Sequence, residues 1–356
     1  MKNILIIHPG PFGKHSATLY FCKLLKHNFN VHYVGIDEGN GFLEEKNINI
    51  LHLKQIRNKF IRKFNYFILI YKKLKSTNYS FILINYFPFC SFLLFFNKNI
   101  NVEVRSGYIF PSKSKRCLYN LFLRFEIKLF NNVITLSSGL KDNLKLPIRT
   151  SIIPLGGPKV MQVNLTFEKL NFLYVGTFRQ RNIDFTIEAF RIFLNDIKND
   201  DVQYHIVGFG SEEEIYKINF LISKYNLEKF VFFHGEVRYP ELSNIFSNCN
   251  VGISYIPDTE YFRAQPSTKT FEYLLNGMPV VATNILEHKI LINSTNGVLV
   301  NEDPISLASG FKFIYNNRFN FNSFLIQNDS NIHSWEYIVD QIFVPYILNQ
   351  IKKYDL

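Results

Sequence analysis

The chain has 356 residues, 47% of them hydrophobic and 19% charged, with a net charge of +11. This length and apolar content exclude a disordered chain and predict two domains of ordinary size. The four cysteines (Cys22, Cys90, Cys117, Cys249) are scattered with no C-x-x-C pair, which fits a reducing cytoplasm and offers no metal site.

In chain order, residues 4–7 read as a first buried parallel strand ending at Pro9–Gly10. The apolar run is too short for a signal peptide. His8, Gly13 and His15 lie around the following loop, and residues 16–25 read as a helix. Contact with an acceptor or phosphate and a plain turn or helix-start role both fit the two histidines. Further strands are predicted over 31–34, 81–85, 101–104, 132–136 and 151–154. The apolar region 81–96 is interrupted by Asn85 and Pro88. A membrane span needs about 20 apolar residues, so a strand followed by a helix is expected there, and no membrane crossing.

Basic residues interleave with Ile, Phe, Leu and Tyr over 54–64, 72–75 and 113–125. That pattern suits helices lying on an anionic membrane surface, and equally helices with a solvated basic face. No nucleic-acid module accompanies the charge, so nucleic acid is not an expected partner.

The Pro/Gly cluster at 153–158 marks a boundary between residues 1–155 and residues 156–330. Strands are predicted over 170–175, 203–207, 231–234, 251–255, 279–282 and 297–300. Helices are predicted over 183–193, 212–225 and 240–246. The segment 331–356 reads as a closing helix, interrupted near Pro345 and returning to the first domain. Twelve strands alternating with helices predict an α/β protein with two Rossmann-like, doubly wound parallel sheets facing a central cleft.

Three loops carry candidate chemistry. Val175–Gly176–Thr177 ends a buried strand and is followed by Arg179 and Arg181, either of which can neutralise a diphosphate. Gly208–Phe209–Gly210 is a second strand–helix turn, without the third glycine of a dinucleotide fingerprint. Residues 264–283 read as a polar loop, a helix start at Ser267–Thr268–Lys269, a glycine stop and a strand. A helix start attracts anions, and Glu272 is placed one helical step from Lys269. Phe271, Leu274 and Leu275 are predicted to face the core from the opposite side. Taken alone, this stretch fits a nucleotide-sugar site and ordinary helix punctuation equally.

The order of these segments, with 233–237 and 240–242 between them, resembles the donor-binding half of family-4 retaining glycosyltransferases, which have the two-domain GT-B fold. The resemblance covers about 172–300. Residues 137–140 and 153–156 resemble the segments that end the family's first domain, and the stretch around Trp335 its last helix. By that resemblance Glu272 is the second glutamate of an E-x7-E motif and bonds the nucleotide ribose. Ser267, Thr268 and Lys269 lie near the donor phosphates and sugar, and Arg181 falls near a lysine that contacts the diphosphate. Gly176 and Thr177 line the donor loop; Gly208 and Gly210 form the turn beside the base. The first glutamate would fall at Ala264, leaving its sugar contact to Gln265, Asp258 or Glu260. Thr177 stands where the family often has a basic residue, and Arg105 stands near its first-domain histidine.

The resemblance implies transfer of a sugar from a nucleoside-diphosphate sugar to a glycan acceptor with retention. Arg181, Lys269 and Glu272 are the expected catalytic set, without metal or cofactor. No Asp-x-Asp motif occurs. The basic first domain, with Gly13, His15 and Arg105 toward the acceptor, predicts a lipid-linked glycan and association with the inner membrane face. Bacterial surface polysaccharide synthesis, of lipopolysaccharide or capsule, is the setting implied. A non-catalytic nucleotide-sugar binder and a sugar-nucleotide epimerase of the same fold are the alternatives.

Overall fold

The computed structural model describes residues 1–39, 43–110, 112–159, 164–197, 201–237 and 241–354. Pro240, where the helix over 240–246 was expected to start, lies outside the described residues. The chain forms two compact units, residues 1–155 with 335–356, and residues 156–334.

Among the described residues unit 1 has seven strands: β1 (Asn3–Ile7), β2 (Asn30–Ile36), β3 (Ile48–Leu53), β4 (Phe81–Asn85), β5 (Ile100–Val104), β6 (Asn132–Thr135) and β7 (Ser151–Ile152). They lie in the order β3-β2-β1-β4-β5-β6-β7, every pair parallel. Helices α1 (Ser16–Leu25), α2 (Lys59–Ser76), α3 (Lys113–Ile127) and α4 (Ser138–Asn143) connect them, with a 3-10 turn at Cys90–Phe95. Central strands β1 and β4 are apolar runs buried on both faces, as parallel strands covered by helices require. Edge strand β3 was not predicted. Its sequence INILHL has no continuous apolar run because alternate residues meet solvent. Asn58 caps α2 by accepting from the Phe60 and Ile61 N–H groups. Tyr66 then donates to the carbonyls of His8 and Val34, fixing α2 over the ends of β1 and β2.

Unit 2 holds β8 (Leu170–Thr177), β9 (Val202–Phe209), β10 (Val231–Gly235), β11 (Val251–Ser254), β12 (Val280–Thr283) and β13 (Gly297–Val300), in the order β10-β9-β8-β11-β12-β13. Its helices are α5 (Ile183–Ile197), α6 (Glu212–Lys224), α7 (Glu241–Ser247), α8 (Thr268–Leu275), α9 (Leu286–Leu291), α10 (Pro304–Asn317) and α11 (Ser323–Asp329). Phe172, Phe190, Phe193 and Phe311 pack as a ring cluster between β8, α5 and α10, with centroids 5.0–6.1 Å apart.

The chain returns to unit 1 through α12 (Trp335–Ile338), a π-helical turn at Val339–Phe343 and α13 (Val344–Tyr354). The interruption expected near Pro345 is that π turn, lying just before a residue with no N–H to donate. Trp335 is buried, stacked 5.8 Å from Tyr20 and edge-on to Phe21. In both sheets the strand order reverses once, at β1/β4 and at β8/β11. Ligands of open parallel sheets sit outside the strand carboxyl ends at such switch points.

Candidate functional site

The expected donor residues of unit 2 gather around the β8/β11 switch point. Strands β8 and β9 pair along their whole length, ending with Gly176 opposite Gly208 and Thr177 opposite Phe209. A Cβ at Gly208 would lie 1.8 Å from the Gly176 carbonyl oxygen, so this glycine is required by strand packing. At Gly210 a Cβ would meet the Glu214 carboxylate at 2.7 Å and Phe178 at 3.0 Å. That carboxylate belongs to the capping box with Ser211 that starts α6. The turn glycines are thus explained by packing and capping before any ligand is considered. A cavity of about 310 Å³ opens between the loop after β8 and the start of α6, lined in part by Gln180, Asn182, Asp184, Ser211 and Lys217.

After Thr177 the chain turns through Arg179, with Gln180 and Asn182 in the left-handed region at φ 56° and 48°. This conformation turns Arg181 inward. Its guanidinium lies 3.9 Å from the centre of the Phe262 ring, and Nη1 is buried with no hydrogen-bond partner. Burial pushes the pKa of this cation down, because desolvation disfavours the charged form. Arg179 remains exposed.

The loop after β11 supplies that aromatic floor and is itself tied down. Tyr261 donates to Gln180 (2.9 Å), and the Asp258 N–H donates to Glu302 (2.9 Å), which also accepts from Asn182. Arg263 grips Asp258 with two bonds, of 2.8 and 3.2 Å. Ala264 is buried, placing a methyl group at the position that the sequence resemblance gives to a carboxylate. The neighbouring Gln265 side-chain carbonyl is buried without a partner.

Helix α8 starts at Thr268 with Ser267 as N-cap, but the Ser267 hydroxyl makes no capping bond. One conventional partner for the helix-start N–H groups is therefore missing. Lys269 Nζ lies 2.6 Å from Glu272 Oε2, so these two side chains pair with each other. The expected single buried face of α8 needs correction: every residue from Thr270 to Leu275 is buried. The helix is enclosed because Gly157 packs against it. A Cβ there would meet the Glu272 backbone nitrogen at 3.1 Å. On another side the Tyr273 hydroxyl oxygen accepts the Val175 N–H at 2.9 Å, joining α8 to β8.

A buried histidine that sequence reasoning missed lies beneath this helix start. His288 Nδ1 is 2.7 Å from the Thr283 carbonyl and must donate to it, which leaves Nε2 as an acceptor. Nε2 lies 3.1 Å from Ser254 Oγ and 3.2 Å from Thr270 Oγ1, and the two hydroxyls are 2.7 Å apart. This network locks the end of β11, the first turn of α8 and the start of α9. Burial lowers the His288 pKa to about 4, with Arg181 a minor charge contribution. No local sequence signal marks it, because its partners come from three separate segments.

The residues expected at the acceptor lie in unit 1, at the carboxyl ends of β1 and β5. Gly13 has φ +92°, and a Cβ there would lie 2.6 Å from Leu43. His8 and His15 rings are 4.3 Å apart. Arg105 Nη2 is 2.9 Å from Glu103 Oε2, within ion-pair distance but not aligned as a hydrogen bond, and Glu103 also accepts from Asn85. Burial, then His15 and Arg105, lowers the His8 pKa to about 2; burial followed by Arg105 lowers that of His15. Among the described residues no three His, Cys, Asp or Glu side chains come together as a metal-binding group.

Comparison with known proteins adds to this geometry. Residues 169–317 match the family model described as glycosyl transferases group 1. No curated protein sequence matches. Among solved structures, a glycosyltransferase from Rickettsia africae is 17% identical with a TM-score of 0.74, covering 99% of both chains. Sucrose-phosphate synthase from Thermosynechococcus elongatus is 19% identical with a TM-score of 0.73, over 97% of this chain and 98% of that one. HepE from Anabaena, solved with UDP, is 14% identical with a TM-score of 0.72, over 97% of this chain and 99% of that one. The chain therefore has the GT-B fold, and residues 169–317 of its second unit are similar to the group 1 glycosyl transferase model.

Proposed function

We propose that this chain is a glycosyltransferase that moves a sugar from a nucleoside-diphosphate sugar to a saccharide hydroxyl, with retention at the anomeric carbon. The observation that carries the reading is the half-buried Arg181, whose buried Nη1 has no hydrogen-bond partner, within the segment that matches a glycosyltransferase model. A buried N–H of a cation that has no acceptor is costly unless an anion supplies one. The HepE structures bound to UDP, and to UDP with glucose, support a uridine or similar diphosphate as that anion.

In this reading the bond from the anomeric carbon to the diphosphate oxygen breaks, and a bond to the acceptor oxygen forms. Arg181, Lys269 and the start of α8 stabilise the charge that develops on the leaving diphosphate. The acceptor proton passes to a leaving phosphate oxygen. Glu272 accepts from the ribose, and the Arg105–His8–His15 cluster of unit 1 meets the acceptor. A lipid-linked glycan at the inner membrane face is the acceptor class that the basic first unit favours, and no metal or cofactor is required.

A thermal-shift panel of UDP, GDP, ADP and their sugars, followed by assays of sugar release and transfer, tests the proposal. One nucleotide family is expected to stabilise the protein, and Glu272→Ala to lose that stabilisation while remaining folded. Stabilisation without release or transfer would mark a non-catalytic binder, and unchanged binding by the variant would refute the assignment of Glu272.

A further inference from the structure

Three elements of unit 1 form one continuous layer. Tyr71 of α2 packs on Phe96 (4.7 Å), Tyr66 and Phe67 pack on Phe87, and Phe89 packs on Phe122 of α3 (5.3 Å). The outer side of this layer is unusually apolar for a protein surface. Phe92 and Phe95 of the 3-10 turn are 55% and 83% exposed, Phe125 of α3 is 68%, and Phe60 and Phe64 of α2 are 86% and 67%. An apolar groove of about 600 Å³ lies between the turn and α3.

The exposed rings are held in place. Glu126 of α3 is buried and accepts three bonds from the loop: Tyr86 hydroxyl (3.0 Å), Phe89 N–H (3.1 Å) and Ser91 N–H (2.9 Å). Phe89 itself sits at φ +73°, a left-handed conformation costly for a residue other than glycine. Pinned in this way, Phe89, Phe92 and Phe95 stack in a row, each ring 6.3 Å from the next. A buried carboxylate and a strained residue thus maintain three aromatic side chains facing solvent.

The charge around them has one sign. Residues 46–129 contain sixteen Lys and Arg but only two acidic residues, Glu103 and Glu126, and both are buried. Lys72, Lys75, Lys98, Lys115 and Lys128 are exposed on or beside the three elements. A second copy of the same face would set these cations against one another. Headgroups of an anionic bilayer instead offer negative charge above an apolar interior, which complements aromatic rings surrounded by lysines. No helix of the described residues is long and apolar enough to cross a membrane.

We propose that this layer is a membrane-docking surface: the Phe89–Phe92–Phe95 row enters the headgroup region of an anionic bilayer, and the flanking lysines bind lipid phosphates. The inference is independent of the nucleotide reading, since none of its residues belongs to unit 2.

The test is flotation of the full chain with vesicles of phosphatidylglycerol and phosphatidylethanolamine, and with phosphatidylcholine alone. Binding to the anionic vesicles at low salt is expected, weaker at 0.5 M salt and weaker still on phosphatidylcholine. The double variant Phe92→Ser/Phe95→Ser is expected to lose about tenfold or more in partitioning. Lys72→Glu/Lys98→Glu is expected to lose a similar factor. Circular dichroism and the nucleotide thermal shift check folding; if the aromatic variant is misfolded, the charge variant decides. Absence of wild-type binding, or undiminished binding by a folded variant, overturns the proposal. So does a dimer in light scattering that the Phe variants dissociate. Retained vesicle binding without any nucleotide stabilisation would leave this proposal standing while refuting the proposed function.

Discussion

Acidification is expected to weaken unit 2 through His288, and the size of the effect follows from its burial. The imidazole is fully buried, and its pKa is lowered from the ordinary 6.5 to about 4. Below pH 6.5 the unfolded chain takes up a proton that the folded chain refuses until about pH 4. The stabilisation is therefore complete above pH 6.5 and lost as pH falls through that window, at about 1.4 kcal/mol per pH unit. The loss reaches about 2 kcal/mol at pH 5 and about 3 kcal/mol below pH 4. His205, also lowered to about 4, acts in the same direction, so a variant is needed to isolate His288. His288→Asn retains a donor for the Thr283 carbonyl and removes the titrating group. Loss of the Ser254 and Thr270 contacts costs this variant about 1–3 kcal/mol at pH 7.5. Its deficit relative to wild type is expected to shrink by about 2 kcal/mol at pH 5. Urea unfolding at pH 7.5, 6.0 and 5.0 measures this, with circular dichroism following both units. The single tryptophan, Trp335, lies in unit 1, so its fluorescence separates that unit's transition. A deficit that stays constant from pH 7.5 to pH 5 would refute the reasoning.

Other substitutions probe separate parts of the argument. Arg181→Ala is expected to weaken nucleoside-diphosphate binding by about 10- to 100-fold in calorimetry, the size of a charge-assisted bond. Its melting temperature should change little, because only the contact with Phe262, about 0.5–1 kcal/mol, is lost in the free protein. Gly208→Ala, with its methyl 1.8 Å from the Gly176 oxygen, is expected to destabilise by about 3 kcal/mol or more in chemical unfolding. Glu126→Ala strands three donors and is expected to cost about 3 kcal/mol or more, with faster hydrogen exchange over residues 89–96.

What the sequence revealed, and what it concealed, depended on how far apart the partners lie in the chain. Central strands such as β4 and β11 were legible because burial on both faces requires continuous apolar runs. Helix α1 was legible from its amphipathic spacing. Edge strand β3 was not, since Asn49 and Leu51 face water and Asn49 and His52 break the apolar run. At the candidate site, local order marked Arg181, Lys269 and Glu272, but their surroundings depend on tertiary contacts. Phe262 beneath Arg181 lies 81 positions away, and the hydroxyls around His288 come from Ser254 and Thr270. Gly208 was noted as a turn glycine facing a ligand, whereas the Gly176 carbonyl beside it is sufficient to require it.

The pairing of Lys269 with Glu272 bears on how the proposed donor site would work. A helix start, an unpartnered arginine and a free lysine would together present an anion with strong but poorly directed charge. Here Lys269 is held 2.6 Å from Glu272 Oε2. One oxygen of the carboxylate is therefore committed to the lysine, and Oε1 is left to accept from a ribose hydroxyl. The lysine retains two further N–H donors for phosphate. Binding then needs no rupture of the pair: each partner uses the capacity that the other leaves open, and each arrives already oriented, which lowers the ordering cost of recognition. Arg181 differs in having no protein partner at Nη1, so the same ligand supplies its missing acceptor. In the proposed reading, a nucleoside diphosphate that meets both requirements would be bound through a prepaired carboxylate at the ribose and an unsatisfied cation N–H at the phosphates. Lys269→Ala should therefore damage the site twice, removing a phosphate donor and releasing Glu272 from its orientation. Its loss of nucleotide affinity in calorimetry is expected to exceed that of Lys269→Arg, which keeps both contacts, by about tenfold.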